Sequence, residues 1–166
     1  MSGATPARCS ATVVLPLEAE EYLTWLVTEK GRSVNTLSAY RRDLRGYWSW
    51  LQERGLRLAC LTNKPTAFAR ALLEQKALAP FFSMCHGGDS FERKKPDPLP
   101  LLRTCEALGV APARVLVIGD SVNDAQAARA AGCPVVLVRY GYNHGQPVTE
   151  VDCDAVVDRL DAVAID

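Results

Sequence analysis

Residues 114–124 read Arg-Val-Leu-Val-Ile-Gly-Asp-Ser-Val-Asn-Asp. Arg114 to Ile118 is a short apolar, β-branched run, the pattern of a strand buried on both faces. The run stops at Gly119-Asp120. An alanine-rich helical stretch follows from Ser121 to Ala131, and Gly132 ends it. Outward from this unit the same grammar repeats. Downstream, Pro134 to Val138 reads as a strand and Ala155 to Val157 as a short last one. Upstream, Arg57 to Thr62 (RLACLT) is a strand, Pro65 to Leu78 a helix with proline at its start, and Ser83 to His86 a weaker strand. Pro98 to Leu108 is a helix set between Asp97 and Gly109. Strands alternating with helices predict an α/β domain, a parallel sheet with flanking helices.

In such sheets ligands bind at the carboxyl ends of the strands. The first of these ends is Leu61-Thr62-Asn63-Lys64-Pro65. Lys94-Lys95 follows the second strand and leads into Pro96-Asp97-Pro98. The third end is Gly119-Asp120-Ser121-Val122-Asn123-Asp124. Together they bring a hydroxyl, an ammonium and two carboxylates to one sheet edge. A phosphate ester with Mg²⁺ needs such groups: hydroxyl and ammonium for phosphoryl oxygens, carboxylate for the hard cation. Singly, each has a plainer reading. A threonine after a strand is often a helix cap, a Lys-Lys-Pro run a solvated loop, and an aspartate in that position an N-cap. The three in this order are far more specific.

In that order they resemble the haloacid-dehalogenase (HAD) phosphatases over residues 55–161. Thr62 matches that family's second motif, Lys95 its third, and Asp120 with Asp124 its fourth. The strings LTNKP, GGDSFERKKPDPLPLL, GDSVNDAQAARAAGCP and the tail Tyr140-Gly141-Tyr142-Asn143-His144-Gly145 resemble bacterial phosphoglycolate phosphatase. The resemblance implies a HAD-like, Rossmannoid sheet and Mg²⁺-dependent hydrolysis of a small phosphate monoester, 2-phosphoglycolate. It implies Thr62, Asn63 and Lys95 on phosphoryl oxygens and Asp120 on Mg²⁺. Asp124 would be a metal residue or a second-layer partner of metal or lysine. The His144 loop reads equally well as a surface turn.

The family's chemistry begins with an Asp-x-Asp-x-Thr motif at the end of the sheet's first strand. Its first aspartate becomes an aspartyl-phosphate and its second acts as general acid/base. This sequence has no such motif before Thr62, where the only aspartate is Asp43. Asp152-Cys153-Asp154 follows the wrong strand and leads into Ala155. In the family the nucleophile strand lies between the strands that correspond to RLACLT and RVLVI. Neighbouring strands lie about 4.8 Å apart, so its loss would open a gap of about 10 Å and strand backbone groups on both sides. Residues 11–15, Ala-Thr-Val-Val-Leu, have the composition to fill it, with Pro16 near the nucleophile position. The alternative is an N-terminal arm outside the sheet.

Residues 16–55 read as two amphipathic helices. Leu17, Tyr22, Leu23, Leu26 and Val27 form one apolar stripe, and Leu37, Tyr40, Leu44, Tyr47, Trp48 and Leu51 the next, with Gly55 closing the segment. The string EKGRSVNTLSAYRRDL within residues 29–44 resembles the N-terminal SAM-like domain of Xer-type tyrosine recombinases, a helical module that clamps DNA. Residues 30–57 carry a surplus of five positive charges. The resemblance makes Lys30, Arg41, Arg42 and Arg45 candidate DNA contacts, and a solvated helix face is the plain alternative. Leu51-Gln52-Glu53-Arg54-Gly55-Leu56 reads both as a recombinase helix end and as the lead into the phosphatase core, the place where a chimera would be joined. The expected organisation is therefore an arm or substitute strand (1–15), a helical hairpin (16–55) and an incomplete HAD-like core (56–166).

Composition bounds the rest. With 48% hydrophobic and 23% charged residues the chain is ordinary globular material, and 19 basic against 19 acidic side chains exclude a polybasic protein. No apolar run reaches the roughly 18 residues of a spanning helix, and Met1 to Arg8 lack a signal-peptide pattern, so a cytoplasmic location is expected. Cys9, Cys60, Cys85, Cys105, Cys133 and Cys153 are too widely spaced for a zinc site and are expected to be buried reduced thiols.

Overall fold

The apolar runs become strands of one sheet, and the computed structural model of the chain describes residues 12–15, 50–51, 53–75, 78–140, 143, 147–159 and 162–163. The strands are β1 (Thr12–Leu15), β2 (Arg57–Leu61), β3 (Phe82–His86), β4 (Val115–Gly119), β5 (Val135–Val138) and β6 (Ala155–Val157). Among the described residues the helices between strands are α1 (Thr66–Gln75), α2 (Leu99–Leu108) and α3 (Val122–Ala131). The strand order is β3-β2-β1-β4-β5-β6, and every neighbouring pair is parallel. This is the expected α/β sheet with flanking helices.

Burial explains the strand composition. Along β2, Leu58 and Cys60 face one core cluster while Ala59 and Leu61 face another. The first cluster takes Ala69 and Leu73 from α1 and Leu51 from a helical turn at Trp50–Leu51. The second takes Leu101, Cys105 and Leu108 from α2 and Ala125 and Ala128 from α3. With apolar contacts on both faces, β2 and β4 are continuous apolar runs rather than alternating ones. Ile118 of β4 is 2% exposed in the first cluster. Ile118→Val removes one buried methyl and is expected to lower stability by about 1 kcal/mol, read as a shifted urea midpoint with an unchanged slope.

The helix ends follow their stop signals. Gly109 and Gly132 sit at the ends of α2 and α3 with φ of 64° and 77°, the left-handed conformation that closes a helix at little steric cost. The helix expected over 65–78 is described as Thr66–Gln75, and Ala79–Phe81 form a separate 3₁₀ turn. Pro80 sits in the first turn of that 3₁₀ piece, where its missing N–H is tolerated.

β1 bears directly on function. Val14 pairs with Ala59 of β2 on one side and with Val117 of β4 on the other. The segment expected to substitute for a missing central strand is thus at the sheet centre, not in an arm outside it. Its pairing supplies partners to backbone groups that the gap would have left stranded. Pro16, and the rest of the expected hairpin up to residue 49, lie outside the described residues. Among the described residues no helix is long and apolar enough to cross a membrane.

Candidate active site

β2, β3 and β4 end at the same edge, so the polar residues just beyond them meet. Thr62 follows β2 and is 3% exposed. Its N–H donates to the His86 carbonyl (3.0 Å), and its Oγ1 accepts the Lys64 N–H (3.2 Å). Lys95 reaches the same place from the loop after β3. Its Nζ donates to the Leu61 carbonyl (2.9 Å) and to Asp124 Oδ1 (2.6 Å). Asn63 holds that loop by donating from Nδ2 to the Lys95 carbonyl (2.8 Å). The Lys95–Pro96 peptide bond is cis.

Asp124 is the hub. Its Oδ2 accepts the Asp120 N–H (3.3 Å), the Ser121 N–H (3.2 Å) and the Ser121 hydroxyl (2.7 Å). These bonds satisfy donors at the start of α3, where a carboxylate also opposes the helix dipole. Burial alone would raise the Asp124 pKa. The Lys95 ammonium beside it, with the Ser121 and Asp120 donors, outweighs burial and holds the carboxyl below its ordinary range. Asn143 caps the next position, its Oδ1 accepting the Val122 N–H (2.8 Å). Asp120, 5% exposed, directly follows β4.

Close backbone approach sets the other wall. A Cβ on Gly88 would lie 2.3 Å from the Asn63 carbonyl oxygen, and one on Gly87 would lie 2.3 Å from the Thr66 nitrogen. Only hydrogen at these positions lets the two loops touch, and Gly88 N–H then donates to the Lys64 carbonyl (2.7 Å). Asp89 accepts the Thr66 N–H (2.7 Å) and the Thr66 hydroxyl, fixing the start of α1 against the same loop.

Thr62, Asn63, Lys95, Asp120 and Asp124 are therefore brought together, as the sequence suggested. The Asp124 carboxylate is on the lysine, one of the roles expected of it, and on the helix start. The Asn63 amide nitrogen is on the Lys95 carbonyl. Lys30, Arg41, Arg42, Arg45 and His144 lie outside the described residues. Sequence reasoning did not single out Ser121 or Asn143 individually; a serine before an alanine-rich helix with aspartate three residues on is a capping signal that marks the first. Among the described residues no three His, Cys, Asp or Glu side chains form a metal cage. Mg²⁺ is commonly held by one or two carboxylates with waters and phosphate oxygens, so Asp120 fits as a single protein ligand, with Asp124 as the lysine's partner.

His86 adds a liability beside the site. Its ring packs against Phe91 at 4.9 Å, and its Nε2 is buried with no hydrogen-bond partner among the described residues. Burial, and then the Arg70 charge, push its pKa down. The unfolded chain then binds more protons here, so stability falls as pH drops below the ordinary histidine value of about 6.5. His86→Leu is expected to flatten the slope of stability against pH between about 5 and 7, measured by urea denaturation at each pH.

The model of the haloacid dehalogenase-like hydrolases matches residues 16–132. The chain belongs to that family. A phosphoglycolate phosphatase of Thiobacillus denitrificans is 57% identical over 132 residues, 78% of this chain and 58% of the relative. The crystal structure of a Haemophilus somnus 129PT protein described as a predicted phosphoglycolate phosphatase superposes with TM-score 0.68 at 36% identity, covering 70% of this chain and 52% of that one. A HAD-superfamily hydrolase, subfamily IA, from Geobacter sulfurreducens shares the fold, with TM-score 0.60 at 21% identity over 90% of this chain and 95% of its own. The chain spans about half the length of the phosphoglycolate phosphatase relatives it matches. Both the HAD model and the Thiobacillus match reach upstream of residue 56, into the stretch expected to be a separate helical hairpin.

Proposed function

We propose that this HAD-like chain is a phosphate-monoester site of phosphoglycolate phosphatase type with little or no turnover. The observation that supports it is the convergence of Thr62, Lys95 and Asp120 at one sheet edge, with Lys95 held rigidly by the Leu61 carbonyl and Asp124. In this reading the Thr62 hydroxyl and the Lys95 ammonium neutralise and orient phosphoryl oxygens. Asp120 holds Mg²⁺, which when bound supplies a Lewis acid for the phosphate. Asp124 and Asn63 set the position of the lysine and do not touch substrate. The ligand class is a small phosphorylated acid such as 2-phosphoglycolate, in a cytoplasmic setting.

Turnover is the weak link because the sequence has no Asp-x-Asp at the end of the central strand. Loss of a covalent nucleophile typically costs on the order of 10⁴- to 10⁶-fold in rate. With Mg²⁺ and 2-phosphoglycolate the full chain is expected to release phosphate at close to the background rate, while still binding inorganic phosphate by calorimetry. Robust Mg²⁺-dependent hydrolysis that Asp120→Asn abolishes would overturn the inactivity and point to another carboxylate as nucleophile.

The charge surplus of residues 30–57 favours a second, separable reading: DNA contact through Lys30, Arg41, Arg42 and Arg45, inherited from a recombinase module. It requires salt-sensitive retardation of duplex DNA that the Arg41, Arg42 and Arg45 alanine triple variant loses. Equal retardation of the two proteins rejects it.

A further inference from the structure

Register puts two cysteines side by side. Cys60 of β2 pairs with Cys85 of β3; Cys60 belongs to the core cluster on the α1 side of the sheet and Cys85 packs against it. Neighbouring strands lie about 4.8 Å apart, within the Cα separation a disulfide spans. Both cysteines are free thiols, hydrogen-bonded to each other. Cys60 is 0% exposed, whereas Cys85, on the edge strand, is only half-buried and lines a cavity of about 260 Å³ with Arg70, Leu73, Glu74, Phe82 and Met84. A second contacting pair, Cys105 and Cys133, is 2% exposed at both sulfurs' residues and so is shielded from solutes.

We propose that Cys85 is a site of reversible oxidation by hydroperoxides, with Cys60 as the thiol that resolves it to an intrachain disulfide. In the first step the Cys85 thiolate attacks the peroxide: an S–O bond forms, the O–O bond breaks, and the departing oxide takes up a proton. Sulfur loses two electrons and the peroxide gains them. In the second, Cys60 sulfur attacks the sulfenic sulfur. The S–S bond forms, the S–O bond breaks, and hydroxide leaves with the Cys60 proton as water. The cavity admits the oxidant at Cys85 and the shared register supplies the resolving thiol.

The thiol chemistry agrees with the geometry. The hydrogen bond from Cys60 pulls the Cys85 pKa down to about 7, burial opposes this, and the Arg70 charge assists. Arg70 and Glu74 are the charged groups of α1 that line the cavity, and His86 is the next residue along β3. Cys153 is the built-in control: it is half-buried like Cys85, but burial raises its thiol pKa. About half of Cys85 is then thiolate at pH 7, against a few per cent for an ordinary thiol.

The test uses the full chain, reduced and then desalted. Iodoacetamide at pH 7, read by peptide mass mapping, is expected to label Cys85 about tenfold faster than Cys153. Equimolar hydrogen peroxide is expected to remove two hydrogens per chain, to join the Cys60 and Cys85 peptides, and to be reversed by dithiothreitol. In Cys60→Ser the Cys85 sulfenic acid persists and is trapped by dimedone. Labelling of Cys85 no faster than of Cys153, or a disulfide between any other residues or between chains, overturns the proposal. If Cys60→Ser does not fold, the two readouts on the unaltered chain still decide it.

Discussion

Lys95→Ala is expected to cost about 3–5 kcal/mol of folding stability at pH 7, because it leaves the Asp124 carboxylate buried without its counter-charge. Lys95 and Asp124 are 8% and 5% exposed, so little solvent enters to replace the ammonium. The pH dependence distinguishes this cause from lost packing. In the unaltered chain Asp124 has a lowered pKa. Its contribution is present above the ordinary carboxylate value of about 4 and is lost as pH falls through the lower folded value. Without Lys95 the largest influence left on Asp124 is burial, which raises its pKa. The destabilisation should then shrink as pH falls and the carboxyl becomes neutral. Lys95→Met with Asp124→Asn should recover part of the loss, since the unpaired buried charge is gone while an amide oxygen still accepts the donors at the start of α3. Phosphate binding, by contrast, should not return. Urea denaturation from pH 4 to 8 measures all of this, and a loss independent of pH would show that the ion pair is not its source.

Gly119→Ala is expected to cost about 3 kcal/mol and to weaken phosphate binding without touching any ligand group. A Cβ there would lie 2.3 Å from Asp124 Cβ and 2.6 Å from its Cγ. Those atoms cannot swing away, because Asp124 is anchored at the start of α3 by three donors and by Lys95. The added methyl must displace the helix start or the carboxylate, and either movement carries Lys95 with it. A double-mutant cycle isolates the contact: in an Asp124→Gly background the same methyl should cost about 1 kcal/mol or less. An equal cost in both backgrounds would place the strain elsewhere in the β4–α3 turn.

Much of this architecture was legible because both faces of the sheet are covered. Val115–Gly119 and Arg57–Leu61 announce themselves as continuous apolar runs, and Gly109 and Gly132 mark helix ends by needing left-handed backbone. Residues 12–15 were legible as a strand from their β-branched composition, and the gap that the family resemblance implies between β2 and β4 marked a place for them. Composition alone did not choose between that place and an arm outside the sheet; the pairing with β2 and β4 does. At the site, the residue types were legible from their positions after strands, and the resemblance left Asp124 between metal and lysine. Lys95 and Asp124 are 29 residues apart and meet only because β3 and β4 end at one edge. Asn63 is a ligand candidate by position, and its side-chain nitrogen donates to the Lys95 carbonyl, a contact that no sequence pattern announces. His86 carries no sequence signal of its buried, unpartnered nitrogen.

The strand order also imposes a schedule on folding. β1 is flanked by β2 and β4, so one of its partners follows it by a hundred residues of chain. At about 5–20 residues per second, a ribosome completes β4 roughly 5–20 s after β1. Through that interval β1 can pair on one side at most. Its open edge is then exposed to other nascent chains, and chaperone demand should be set by this strand more than by any other in the sheet.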